Sequence, residues 1–289
     1  MNRTRDLAEG PASRSRTLAL RFDVLMLGVL AYAVDRLPLW AALAVGRGVG
    51  GVSLFGRRTI TRKIEAVFPG RGRRTARAHL AELGVMLCEF LRQPAHPEDL
   101  ARIEVRGWEH LPAGGVILAG HYGNIELMGF ALGRSGRKIA ALATRPGDPF
   151  LQFIDQRRQA SRIRFIYTAV APGAGTRAFL QARRLVREGY AVAFLADTGD
   201  GGNIELEFLG RRTAFDFGGE LLARRIHCPV VACVIERTPR GHVLEILPLP
   251  SDTPTEAFVR LLEQRIRTKP EQYFWGLPGP VTKTVALSG

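Results

Sequence analysis

The chain has 289 residues, 46% of them hydrophobic and 24% charged, which is enough to bury a sizeable core and unlike either a disordered tail or a multispan membrane protein. Lys and Arg number 41 against 27 Asp and Glu, a net charge of +14 that points to an anionic partner: a phospholipid surface, nucleic acid or an acidic substrate. Three cysteines, Cys88, Cys228 and Cys233, are too few for a disulfide framework and fit a reducing compartment; no Cys-x-x-Cys pair suggests zinc.

Residues 1–16 are polar and rich in Arg and Ser and read as a disordered basic tail. Residues 17–98 read as a helical, membrane-associating region, with helices predicted at 17–35, 38–54, 56–67 and 72–92 and a break at Phe68-Pro69-Gly70. Residues 24–34 form an unbroken apolar run, and residues 37–55 are apolar apart from Arg47 and Ser53. Neither reaches the roughly 18 uninterrupted apolar residues of a clear bilayer span, and no clean small-residue cleavage site marks a secretory signal. Directly after them, residues 57–77 carry eight basic side chains against Glu65 alone. Residues 134–164 hold another eight against Asp148 and Asp155. Grease followed by arginine suits a protein lying on a membrane with its bases on anionic head groups. The plain alternative is core helices with solvated arginines beside them.

From residue 99 to 289 the pattern becomes α/β. Strands are predicted at 103–106, 115–119, 138–144, 164–168, 190–196, 229–236 and 242–247. Helices are predicted at 125–133, 148–160, 174–188, 216–227 and 254–268. That alternation implies a mostly parallel central sheet flanked by helices on both faces, and residues 17–289 read as one structural domain.

In such sheets, sites form where strands end and helices begin. Gly120-His121-Tyr122-Gly123-Asn124-Ile125-Glu126 follows a strand. Asn124 is a natural N-cap, which puts Glu126 in the first helical turn. His121 and Glu126 cooperate only if His121 lies in the turn and folds back toward the helix start, a bend that the glycines permit. A carboxylate on one imidazole nitrogen fixes the tautomer and makes the other nitrogen a base for a hydroxyl. The bland reading is a histidine at a helix cap. The second strand end is Asp197-Thr198-Gly199-Asp200-Gly201-Gly202, after the buried strand 190–196. Its acid spacing fits no twelve-residue calcium loop, and a Gly-rich turn with a capping Asp is the bland reading. Gly46-Arg47-Gly48-Val49-Gly50-Gly51 spells a dinucleotide fingerprint but lies among helices and lacks the later acid. No phosphate-loop lysine motif or Gly-x-Ser-x-Gly elbow occurs.

The order of these motifs carries a resemblance. The chain has His-x4-Glu at 121–126, Thr144-Arg145-Pro146, a strand ending in Asp197, Phe208-Leu209-Gly210, and Pro270-Glu271-Gln272-Tyr273-Phe274-Trp275. Upstream stand Ala66-Val67-Phe68-Pro69 and residues 105–111 (VRGWEHL). This set resembles the bacterial lipid A biosynthesis acyltransferase family, within the glycerolipid acyltransferase superfamily, over residues 20–275. The resemblance implies acyl transfer from a thioester, on acyl carrier protein or coenzyme A, to a hydroxyl of a membrane lipid. It implies His121 as general base and Glu126 as its orienting partner. The substrate-binding candidates are Arg145, Arg158, Asp197, Asn124 and Gly123, with Arg157 or Arg145 as rivals to Arg158 for the family arginine near the site. No cofactor, no metal and no nucleic acid is expected; the anionic membrane surface is an expected partner. The implied place is the cytoplasmic face of the bacterial inner membrane, peripheral or N-terminally anchored. Two departures leave the acceptor open: Trp275 is followed by Gly276-Leu277-Pro278 in place of His-Arg-Arg, and 197–202 lacks the usual Tyr-Gly-basic continuation. Two competing readings are a basic nucleic-acid-binding protein, which would show steep salt dependence, and a non-catalytic lipid-binding relative.

Overall fold

The computed structural model of the protein describes residues 11–54, 56–145, 147–168, 174–198 and 204–276. Four helices come first: α1 (Pro11–Arg36), α2 (Leu39–Val52), α3 (Arg57–Val67) and α4 (Gly72–Arg92). The tail predicted at 1–16 lies outside the described residues up to residue 10; from Pro11 onward the chain is already helical. Then follow β1 (Ile103–Arg106), β2 (Gly115–Ala119), α5 (Ile125–Gly133), β3 (Ile139–Thr144), α6 (Pro149–Arg158), β4 (Arg164–Thr168), α7 (Ala174–Arg187) and β5 (Ala191–Leu195). The chain continues through β6 (Ile204–Phe208), β7 (Arg211–Phe215), α8 (Gly218–Ile226), β8 (Val230–Thr238), β9 (Gly241–Pro248) and α9 (Pro254–Thr268).

Seven strands form one sheet in the order β1-β9-β8-β2-β5-β3-β4. Every pairing is parallel except β8 with β9, as the alternating pattern predicted. Strand β2 is buried along its whole length, as a strand covered on both faces must be. Its alternate residues serve two cores. Val116 and Leu118 pack with α7, α8 and α9, whereas Ile117 and Ala119 pack with α5. The one element pair missing from the sequence reading is the hairpin β6–β7, a separate two-stranded antiparallel sheet. Its turn is Leu209-Gly210, both at positive φ (51° and 76°), the backbone of a two-residue hairpin. Alternation across only five residues per strand, interleaved with charges, hid it.

The N-terminal helices are fastened to this body. Arg92, at the end of α4, donates to Asp99 and to the carbonyls of Val34 and Leu37, where α1 gives way to α2. Helix α2 lies on α4 at backbone contact. A Cβ on Gly46 would stand 2.5 Å from the Gly84 carbonyl oxygen, one on Gly84 2.0 Å from that of Gly46, and one on Gly50 2.1 Å from that of Leu80. Gly46 and Gly50 of the 46–51 stretch are thus a packing surface, because only residues without a side chain let two helix backbones meet this closely.

That packing turns α2 inside out. Its small residues Ala42, Gly46 and Gly50 face the protein, and Trp40, Val45, Val49 and Val52 face outward, Trp40 75% exposed. On α1, Leu25, Met26, Val29 and Tyr32 are likewise exposed. No single helix among the described residues is long and apolar enough to cross a membrane; α2 and α3 reach that composition only together, and the pair is bent by 84°.

Candidate active site

Strands β2 and β5 pair in parallel with Ala119 opposite Leu195. The residues two places beyond that rung, His121 and Asp197, therefore emerge side by side at the carboxyl end of the sheet. His121 Nδ1 lies 2.8 Å from Asp197 Oδ1, and the His121 main-chain N–H donates to Asp197 Oδ2 at 2.8 Å. Asp197 is fully buried, and the His121 side chain is 13% exposed. Asp197 also interacts with Tyr273: burial first, then the charge of Asp197 and the hydrogen bond to it, raise the Tyr273 hydroxyl well above its ordinary pKa. The phenol therefore stays protonated and donates to the carboxylate. With the imidazole neutral, the Asp197 carboxylate accepts at Nδ1, so that nitrogen carries the proton and Nε2 presents its lone pair.

This corrects the expected His121–Glu126 partnership. Glu126 does lie in the first turn of α5, but its carboxylate takes a fork of hydrogen bonds from Arg158: Nε to Oε1 at 3.1 Å, Nε to Oε2 at 2.9 Å, and a further bond from the terminal nitrogen Nη2 to Oε1. Burial alone would lower the Arg158 pKa, yet the hydrogen bonds and charge of Glu126 outweigh it and hold it above the ordinary value. The physical reason is reach. Glu126 leaves the helix toward α6, whereas Asp197 starts from the strand hydrogen-bonded to that of His121. Asp197, expected to meet substrate, has both carboxylate oxygens on His121, one at the ring and one at the main chain.

Two other candidates serve the turn itself. Asn124 is 3% exposed; its Oδ1 accepts from the Leu127 N–H at 3.2 Å, capping α5, while its Nδ2 donates to Glu89 at 2.9 Å. Gly123 has φ +66°, and a Cβ there would fall 1.8 Å from the Ile235 carbonyl oxygen. Its N–H donates to the Gln272 carbonyl at 2.9 Å. Both residues thus spend these polar groups within the protein, shaping the turn. Arg145 ends up beyond β3, exposed, with its guanidinium 5.7 Å from the centre of the Tyr167 ring. The rival Arg157 donates to the Leu91 carbonyl on α4. Pro146 and residues 199–202 lie outside the described residues.

Sequence reasoning singled out Pro270–Trp275 without giving it a job. The structure shows a clamp on the turn that carries His121. The Phe274 N–H donates to the His121 carbonyl at 2.8 Å, Tyr122 and Tyr273 form an antiparallel bridge, and the Phe274 ring lies 6.4 Å from the His121 ring. Trp275 closes the clamp through Nε1 to the Pro270 carbonyl at 2.7 Å, and Lys63 of α3 donates to the Trp275 carbonyl at 2.9 Å. The hairpin supports it from behind, with Phe208 6.5 Å from Tyr273. Among the described residues, no group of three His, Cys, Asp or Glu side chains is placed to hold a metal ion.

An imidazole held by a buried carboxylate at the carboxyl end of a mostly parallel sheet marks the candidate active site of this α/β fold. Residues 12–278 match the bacterial lipid A biosynthesis acyltransferase family. The chain belongs to that family and is an acyltransferase, acting between an acyl donor and a lipid acceptor. A solved structure that it resembles is the 1-acyl-sn-glycerophosphate acyltransferase PlsC from Thermotoga maritima, at 15% identity and a TM-score of 0.41, with 88% of this chain and 99% of that one covered. No curated protein matches the chain.

Proposed function

We propose that the protein is a membrane-associated O-acyltransferase that moves a fatty acyl group from a thioester, on acyl carrier protein or coenzyme A, to a hydroxyl of a membrane lipid or glycolipid. His121 Nε2 takes the acceptor proton. The oxygen attacks the thioester carbonyl, the tetrahedral adduct collapses, and the departing thiolate takes the proton back from Nε2. No covalent acyl-enzyme is needed. Asp197 keeps Nδ1 protonated and stabilises the imidazolium that forms in between, the task of the carboxylate in hydrolytic triads. The ion pair of Glu126 with Arg158 holds α5 and α6 together beside the base. The observation that carries this reading is the 2.8 Å bond between His121 Nδ1 and Asp197.

Membrane association is supported by the outward apolar stripe on α1 and α2, and by the exposed arginines that follow, Arg58, Arg62, Arg71, Arg73, Arg74 and Arg77. An apolar face rimmed by bases fits an anionic bilayer surface. The place we assign is the cytoplasmic face of the bacterial inner membrane, peripheral or N-terminally anchored, where acyl thioesters and lipid acceptor meet. The test is transfer of a labelled acyl group from acyl carrier protein or coenzyme A to extracted membrane lipids by wild type and His121→Ala. Product from wild type with either donor and none from the variant supports the reading; equal product from both proteins removes it.

A further inference from the structure

Two restraints on the catalytic turn converge on one residue outside the site. Arg237 lies near the end of β8, its side chain 12% exposed. Its guanidinium grips Glu89 of α4 with both terminal nitrogens, at 2.8 and 2.7 Å, and Glu82 with Nε at 2.6 Å. Glu89 in turn accepts from the Asn124 side chain at 2.9 Å. On its main-chain side, the Arg237 N–H donates to Gln272 Oε1 at 2.8 Å, and Gln272 Nε2 donates back to the Arg237 carbonyl at 3.1 Å. The Gln272 carbonyl receives the Gly123 N–H. Asn124 and Gly123 are the two residues that end the turn carrying His121, so one arginine reaches both of them, each through one intermediary.

We infer that the Arg237 side chain is a positioning group for acyl transfer: through Glu89–Asn124 it fixes the turn that aims His121, beside the Gln272–Gly123 branch held by its own main chain. The inference rests on the reading of His121 as the base. Arg237 has no contact with the His121 or Asp197 side chains among the described bonds and acts only through its neighbours. Its role follows from what a buried ion pair can and cannot do. Desolvation consumes much of the attraction, so such a pair adds little stability over a well-packed apolar substitute. What it supplies is direction, because a forked guanidinium and a reciprocal amide each accept one geometry. Burial pushes the Glu89 carboxyl up, yet His242 and Arg237 bring it down to about 2, in keeping with the two-nitrogen grip of the guanidinium. Gln272 explains the third position of the Pro-Glu-Gln-Tyr-Phe-Trp stretch. Its amide serves the Arg237 main chain as a neighbouring strand would.

The test uses two variants of the full chain, Arg237→Lys and the double variant Glu89→Gln with Arg237→Met. The second removes the Glu89–Arg237 pair together and leaves Glu82 its bond from Arg47, and so folds where a lone unpaired charge does not. Steady-state kinetics gives kcat and KM for donor and acceptor, and histidine-selective nitrogen NMR reads the tautomer of the His121 ring, assigned with His121→Ala. We expect kcat to fall by about 10²-fold, the scale of an ångström-sized misplacement, with both KM values within about twofold of wild type by the same argument. We also expect the His121 ring signals to leave the pure Nδ1–H pattern. A folded variant with wild-type ring signals overturns the inference, whatever its turnover. So does a loss of kcat accompanied by equal loss in both KM values. The ring signals do not depend on turnover, so they separate this failure from a failure of His121 as base, which the activity of His121→Ala reports.

Discussion

His121 and Asp197 stand 76 residues apart in sequence and meet twice, ring nitrogen to one carboxylate oxygen and main-chain N–H to the other, both at 2.8 Å. The double contact fixes the backbone of the turn and the plane of the imidazole with one side chain. Its origin is the parallel rung of Ala119 with Leu195, which carries both residues to the same end of the sheet.

Replacing Asp197 with Asn keeps the size and removes the charge. The amide cannot accept from the ring and the main chain and also from Tyr273 without turning a donor toward one of them. We expect kcat to fall about 10³- to 10⁴-fold, as when a triad carboxylate is neutralised. The His121 ring should shift toward the other tautomer, read by nitrogen NMR. Glu126→Gln should leave that tautomer unchanged, because its partner is Arg158. A tautomer shift in Glu126→Gln and none in Asp197→Asn reverses the assignment.

A side chain at Gly123 meets both a positive φ and a carbonyl oxygen 1.8 Å from its Cβ. The left-handed backbone alone costs about 1–2 kcal/mol for an ordinary residue, and the Ile235 strand must also shift. Gly123→Ala should lower the thermal midpoint by several degrees, and it should lower activity more than stability because the turn carries the base. Differential scanning calorimetry beside an activity assay checks both.

Trp40 and Val49 point away from the protein, 75% and 61% exposed. Trp40→Glu and Val49→Glu should change folding stability by less than about 0.5 kcal/mol, as surface substitutions do. Binding to vesicles containing anionic lipid should weaken at least about tenfold, since each replaces apolar insertion by a charge that the head groups repel. Wild-type vesicle binding in co-sedimentation removes the membrane face we assign to α1 and α2.

His79 of α4 is buried against the clamp; its Nδ1 donates to the Glu271 carbonyl at 3.0 Å. Burial, partly offset by that bond, lowers its pKa from 6.5 to about 4. Between those values the unfolded chain takes up a proton that the folded chain refuses. Stability from this group is therefore complete above pH 6.5 and lost as the pH falls toward 4, on the order of 3 kcal/mol at most. His79→Asn retains a donor for Glu271 and does not titrate, so its unfolding free energy should fall less between pH 7 and 4.5 than that of wild type. Urea melts at the two pH values measure the difference.

The residues alone determined the kinds of elements and their order. Apolar runs of five or six residues between helical patterns specify a parallel sheet, because strands buried on both faces have no polar side to show. They also marked the turn at His121, the N-cap at Asn124 and the segment 270–275. They did not reveal the β6–β7 hairpin, the packing use of Gly46 and Gly50, or which acid serves His121. Those depend on register and approach. Closeness in sequence and the family resemblance made Glu126 the expected partner, and Arg158, 32 residues away, claimed it. Asp197 became the partner because hydrogen bonding between two strands aligns residues whose sequence separation carries no periodic signal. Local pattern governs what a segment becomes; only packing decides which segments face one another, since the energy of that choice is spread over contacts between distant parts of the chain.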